Sequence, residues 1–209
     1  MRFFIIFILS GLTGAFFAIM DWPIEMMFIV LAVIAITSMG YIFYINYFSK
    51  NFTAIEKYLA KNHKNPIYHY TYILPTATDE QLIQALQAII QKYAHTKYKS
   101  IYNTYLALME EDIVSAHQHV VPIQHTEIGR YTSALINVYE GNYDEALQHQ
   151  VQKKWMKHSI LTHIAFFKKD LNAFKEEAAL AVSSTGGVQR YSNYYTFERM
   201  KKELQKNQP

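Results

Sequence analysis

The sequence predicts an all-α protein: an N-terminal two-helix transmembrane hairpin followed by a solenoid of helical hairpins. Three observations carry this expectation. Two apolar runs, residues 3–20 and 26–48, contain no charged side chain. After residue 66, apolar positions recur at helical spacing and no stretch alternates with period two. Within that region a helix–turn–helix pattern returns at a nearly constant interval, as in stacked helical repeats.

An α-helix rises about 1.5 Å per residue, so roughly 20 residues cross the hydrocarbon core. Both runs reach that length, the first only just. Each Leu, Ile, Phe or Val near the centre favours insertion by about 0.3–0.6 kcal/mol, which outweighs the hydroxyls of Ser10, Thr13, Thr37 and Ser38. Asp21-Trp22-Pro23-Ile24-Glu25 separates the runs, and a break that short and proline-bearing turns the second helix back on the first. Trp22 on one side and Tyr41, Tyr44 and Tyr47 on the other suit the headgroup layer. Ser10, Gly14 and Ala18, four residues apart, permit close helix approach.

Positive charge sets the orientation. Arg2 precedes the first run, Lys50, Lys57, Lys61 and Lys64 follow the second, and the turn holds only Asp21 and Glu25. The expected location is therefore the cell membrane, with two spans and both termini cytoplasmic. Ala15-Phe16-Phe17-Ala18 lacks the A-x-A spacing of a signal-peptide cleavage site. Transporters and proton relays need ionisable groups at depth; neither run has one, so the hairpin reads as an anchor.

Residues 49–66 follow as a juxtamembrane amphipathic helix and linker, residues 67–206 as a cytoplasmic helical-repeat domain, and 207–209 as a tail. The chain carries 20 Lys and Arg against 17 Asp and Glu. Setting aside Arg2, Asp21 and Glu25 leaves 20 − 1 = 19 basic and 17 − 2 = 15 acidic residues beyond the spans. That excess is mild and scattered, whereas a nucleic-acid surface needs a dense basic face. There is no cysteine, which excludes disulfides, thiolate nucleophiles and cysteine zinc sites. The 17 tyrosines have amphipathic rings suited to membrane interfaces and to packed helices.

Taken in order, Asn51–His63 forms an amphipathic helix with Phe52, Ile55 and Leu59 on one face and Lys57 and Lys61 beside them. It lies on the membrane surface or packs on the domain behind it. Pro66 ends it. Thr78-Asp79-Glu80-Gln81 matches a capping box and opens a helix with Leu82, Leu86, Ile89 and Ile90 on one face. Further helices are expected over 98–109, 113–120, 127–139, 143–153, 156–167, 171–182 and 191–205. The breaks fall at Pro122, Gly141-Asn142, Lys169-Asp170 and Gly186-Gly187. The last helix, rich in Arg, Lys, Glu and Gln, is expected to close the stack with a wet outer face.

Tyr143 and Ala146, which follow the turn at Gly141, have counterparts in Leu82/Ala85, Ile113/Ala116 and Leu171/Phe174. The intervals are 113 − 82 = 31, 143 − 113 = 30 and 171 − 143 = 28. One helical hairpin cannot bury its apolar face alone, so neighbours stack. Gly141-x-Tyr143-x-x-Ala146, with Ala134 in the preceding helix, resembles the junction of the tetratricopeptide repeat. The flanking units carry Glu111 and Lys169 where the glycine would stand, Gln150 and Lys153 replace the family's packing residues, and the interval is shorter than the family's roughly 34 residues. The resemblance covers four hairpins from about residue 66 to 183. It implies that the first helix of each hairpin lines a concave groove for a partner peptide. That places Tyr102, Tyr105 and Tyr131 as candidate partner contacts; the alternative is that they fill the core between hairpins.

No constellation points to catalysis, a cofactor or a metal. His117 and His119 are two apart on a helix and point away from each other, and His125 is the third of that group. His158 and His163 are five apart, without HExxH. Glu110-Glu111-Asp112 sits before a helix start, where acids are favoured. Ser183-Ser184-Thr185-Gly186-Gly187 lacks the lysine of a phosphate loop. The sequence is thus expected to specify a non-catalytic, membrane-anchored scaffold or adaptor that binds a protein or peptide at the cytoplasmic face. The alternative is an accessory subunit that binds a larger membrane complex through its spans.

Overall fold

The computed structural model describes residues 23–206. The first expected span, Arg2, Asp21, Trp22, the Ser10/Gly14/Ala18 stripe and the tail 207–209 lie outside the described residues. Among those described there are eleven α-helices and no strand. The chain divides into two compact units, one ending at Tyr44 and the other beginning at Ile45.

Helix α1 runs Ile24–Tyr47, close to the expected second span. Its mean hydropathy reaches 2.3, and apolar side chains from Ile24 to Tyr44 are exposed around its circumference. Length and composition suffice for it to cross a membrane; a signal sequence would have the same character.

The second unit holds ten helices: α2 Phe52–Asn62, α3 Pro66–Ile73, α4 Asp79–Lys92, α5 Lys97–Met109, α6 Ile113–Val120, α7 Glu127–Tyr139, α8 Tyr143–Gln148, α9 Lys154–Phe167, α10 Leu171–Ser183 and α11 Gly187–Lys206. Side-chain caps start several of them. Asn51 accepts from the Ala54 amide and Asn65 from that of Ile67. Thr78 and Gln81 form the reciprocal capping box expected from the sequence. Pro66 ends the helical register of α2 and also begins α3, where its missing N–H costs nothing. Pro122 lies in a single 3₁₀ turn, Val121–Ile123, between α6 and α7. Helix α8 stops at Gln148, short of the expected 153, and the chain then extends to α9.

Three helix–helix junctions close in the same way. Glu111, Gly141 and Lys169 have φ of 57°, 80° and 58°, the left-handed cap position. In each, the next amide reaches back across the last turn: Asp112 N–H to Ala107 O at 2.8 Å, Asn142 to Asn137 at 2.8 Å and Asp170 to Ala165 at 2.9 Å. The glycine missing from the flanking units is thus replaced by strained L-residues in an unchanged turn.

Successive helices pack on one another, and α5, α7, α9 and α11 also touch in that order. The main core joins Ile101, Leu108, Ala116, Ala134, Ile136, Ala146 and Ile160. The final helix departs from expectation. Its outer face is wet, with Gln189, Lys202, Glu203 and Gln205 exposed, but beyond closing the stack on α9 and α10 it also returns to α2 and α3. Tyr191, Phe197 and Leu204 are buried, with Tyr191 among Ile55, Leu59 and Phe52 of α2. The polar composition misled because Arg199 bonds to the Ala77 carbonyl and to Asp79 (2.5 Å), so charged residues serve this helix as ties within the domain. The same contacts decide between the two readings of α2, whose apolar face is used by the domain.

Lys169→Gly and Glu111→Gly each remove a left-handed L-residue and should stabilise the protein by up to about 1 kcal/mol. Gly187→Ala, at φ 59° and with a Cβ 2.0 Å from the Asn46 carbonyl oxygen, should destabilise it by more than about 2 kcal/mol. Denaturant unfolding of the full chain in detergent measures all three.

Candidate functional site

Helices α3, α5, α7 and α9 form one side of a cavity of about 1080 Å³, and α11 runs along the other. Tyr70 of α3, Tyr102 and Tyr105 of α5, and Tyr131 and Tyr139 of α7 line it, with Trp155 of α9. The three tyrosines expected as partner contacts are thus brought to one groove. Tyr102 and Tyr105 are half-buried and Tyr131 is buried, so they contribute both to the wall and to the packing behind it. Tyr131 and Trp155 meet edge to face at 5.2 Å, as do Tyr102 and Tyr105 at 6.4 Å.

Desolvation sets the groove's chemistry. Burial pushes the Tyr70 phenol up to about 12 against the nearby Arg199, which favours its anion. Tyr131 is likewise pushed up to about 12 by burial, although its bond with Ser159 favours the phenolate. Burial raises Tyr102 and Tyr105 further, reinforced by the neighbouring tyrosines. At neutral pH these phenols are uncharged hydroxyls that donate and accept, and Asp79, Lys153, Arg199, Lys202 and Glu203 line other parts of the cavity. His163 is buried and its basicity lowered by desolvation. Its Nδ1 lies 2.7 Å from the Ser159 carbonyl oxygen; a carbonyl only accepts, so Nδ1 carries the proton of the neutral ring and Nε2 its lone pair.

Ser159 Oγ lies 2.7 Å from the Tyr131 hydroxyl, while His163 reaches the serine's backbone. The serine–histidine bond that would activate a nucleophile is absent among the described residues. His117 pairs with Glu140 at 2.9 Å and His158 with Glu177 at 2.7 Å. Among the described residues no cluster of three metal-ligating side chains occurs. Asp112 caps α6, accepting from the Ser115 amide and hydroxyl, bonds that hold its carboxyl below the usual range.

Tyr70, Tyr139, Trp155, Asn193 and Arg199 belong to the groove but escaped sequence reasoning. Trp155 is the second residue of α9 and was a legible signal; the α11 residues were not, because nothing local says that α11 turns back. Three buried polar atoms lack a hydrogen-bond partner among the described residues: Arg190 Nε, Tyr191 Oη and Asn193 Nδ2. All belong to α11, within four residues. Gln189 fixes the other end of the Asn193 carboxamide at 2.7 Å, so one polar atom is left over whichever way both amides are turned. No protein-family model matches this chain, and no curated protein or solved structure matches it.

Two phenylalanine substitutions should have opposite signs. Tyr131→Phe loses a satisfied bond and should destabilise the chain by about 1 kcal/mol, whereas Tyr191→Phe removes an unpaired buried hydroxyl and should stabilise it by about 1 kcal/mol. The pH dependence has a definite direction. With the folded-state basicity of His163 below the ordinary 6.5, the unfolded chain takes up the proton first as pH falls, so stability drops below about pH 6.5. His163→Gln should flatten that decline, leaving the smaller same-sign share of the desolvated His149; unfolding titrations across this range measure it.

Proposed function

We propose that this chain is a membrane-tethered, non-catalytic binding module. Its helical hairpins stack as a tetratricopeptide-like solenoid, and the tyrosine-lined groove holds a protein or peptide at the cytoplasmic face. The observation that carries this reading is the convergence of Tyr102, Tyr105 and Tyr131, all uncharged at neutral pH, on one large cavity. Neutral hydroxyls, a carboxamide and aromatic edges complement a peptide's amides and apolar side chains, and aromatic anchors in pockets dominate protein recognition. The recurring left-handed junctions and the contacts among α5, α7 and α9 support the stacked arrangement.

The tether in this reading is a two-span hairpin with both ends cytoplasmic. It rests on the two uncharged runs and on the placing of Arg2, Lys50, Lys57, Lys61 and Lys64 against Asp21 and Glu25. The second reading, an accessory subunit of a larger membrane complex, is favoured by a separate observation: α1 leaves its apolar side chains uncovered all round.

A photoreactive phenylalanine analogue at Tyr102, and separately at Ile34, distinguishes the two in intact cells. The binding-module reading expects a discrete crosslinked protein from position 102 that Tyr131→Ala weakens by tenfold or more. Crosslinks from position 34 alone would replace it with the subunit reading, and silence at both positions would remove both.

A further inference from the structure

We propose that Lys50, Lys57, Lys61 and Lys64 form a docking face for anionic lipid headgroups. The inference rests on the reading of α1 as a membrane span and needs no partner in the groove. Helix α2 commits its apolar face to the domain: Ile55 and Leu59 have 0% exposure and pack with Phe52 and Tyr191. An amphipathic helix spent in that way has no apolar face left to insert into a bilayer, so any contact it makes with lipid is electrostatic. Lys57 and Lys61 are one turn apart on α2, Lys64 lies in the turn just past its end, and all four lysines are exposed. Among the described residues none of the four forms an ion pair. Residues 50–64 contain one acid, Glu56, so the segment is strongly cationic, unlike the mixed charge elsewhere on the domain.

Chain connectivity supplies the proximity. Lys50 is three residues beyond Tyr47, the last residue of α1, which keeps it within about 11 Å of that end even if the link is fully extended. Exposed Tyr41, Tyr44, Tyr47 and Phe48 precede it, the aromatic belt that marks the headgroup level of a spanning helix. That separation is comparable with the Debye length of about 8 Å at physiological salt. Lysines on the cytoplasmic side of a span face the leaflet that carries anionic lipid.

The test uses the full chain in nanodiscs of phosphatidylcholine alone and of phosphatidylcholine with phosphatidylglycerol, with lysine acetylation read residue by residue. In the anionic discs the four lysines should react several-fold more slowly, the difference should vanish in high salt, and exposed Lys154 and Lys169 should be unchanged. Lys57→Glu with Lys61→Glu, both at exposed positions, should restore the reactivity of Lys50 and Lys64 by about fivefold. Equal rates in the two discs, or slowing at every lysine alike, would overturn the docking face while leaving the span intact. A chain that fails to enter discs at all would overturn the span on which the inference rests.

Discussion

The close approach of two backbones organises the folded domain. Gly186 and Gly187 lie against residues 46–49, with the Gly187 amide bonded to the Ser49 carbonyl at 2.8 Å. A Cβ on either glycine would overlap that strand of chain. This contact fixes where α11 begins and brings Tyr191 between Ile55 and Leu59, so that the last helix meets the first helices of the domain. Without it, the row α5, α7, α9 would end on α10, and the tyrosine groove would lack its second wall. The same contact joins the end of α1 to that wall, since Ile45 at the foot of α1 is buried and Asn46 bonds Tyr58 and Tyr68.

Local physics made most of the helices legible. Capping by Thr78, the breaks at Pro66 and Pro122, and the apolar spacing of α4, α6 and α7 all depend on residues within one or two turns, and these boundaries fell close to the observed ones. The recurring junction was legible through Gly141, and its equivalents at Glu111 and Lys169 were found by spacing although the residue type had changed. What escaped was long-range. Gly186-Gly187 looks like a flexible loop when the backbone it touches is about 140 residues away in sequence. Helix α11 reads as solvent-facing because its Arg and Glu are counted as polar, yet Arg199 is spent on Ala77 and Asp79. A buried threonine on each of α5, α7 and α9, bonded back to the carbonyl four residues earlier, repeats the same interval and was also there to be read.

The candidate site was half legible. Tyr102, Tyr105 and Tyr131 followed from which helix of a hairpin faces inward, but Tyr70 and Tyr139 depend on how α3 and the end of α7 meet across the cavity. Burial of these phenols carries an energetic consequence. A hydroxyl buried without a partner costs about 1–3 kcal/mol, a cost that Tyr131 avoids through its bond with Ser159. Of the three unpaired atoms on α11, only that of Asn193 belongs to a residue lining the groove; Arg190 lines a separate cavity. The domain tolerates the cost because Phe197, Leu204 and Tyr191 bury enough apolar surface to hold α11 in place, at about 1.5–3 kcal/mol each.

That balance bears on what the groove prefers to bind. A ligand carrying formal charge would lose hydration against the neutral phenols of Tyr102, Tyr105 and Tyr131, and counter-charge comes only from the polar part of the lining, such as Arg199 beside Tyr70. A segment rich in amides and aromatic edges loses less and gains more, because every phenol it caps recovers part of the desolvation already spent in folding. Under the proposed reading, the unpaired Asn193 amide in the groove would favour a partner that supplies an acceptor over one of equal apolar area that does not. Under the proposed tethered reading, a partner confined to the same membrane would meet the groove at a raised effective concentration, and a modest intrinsic affinity would suffice for occupancy.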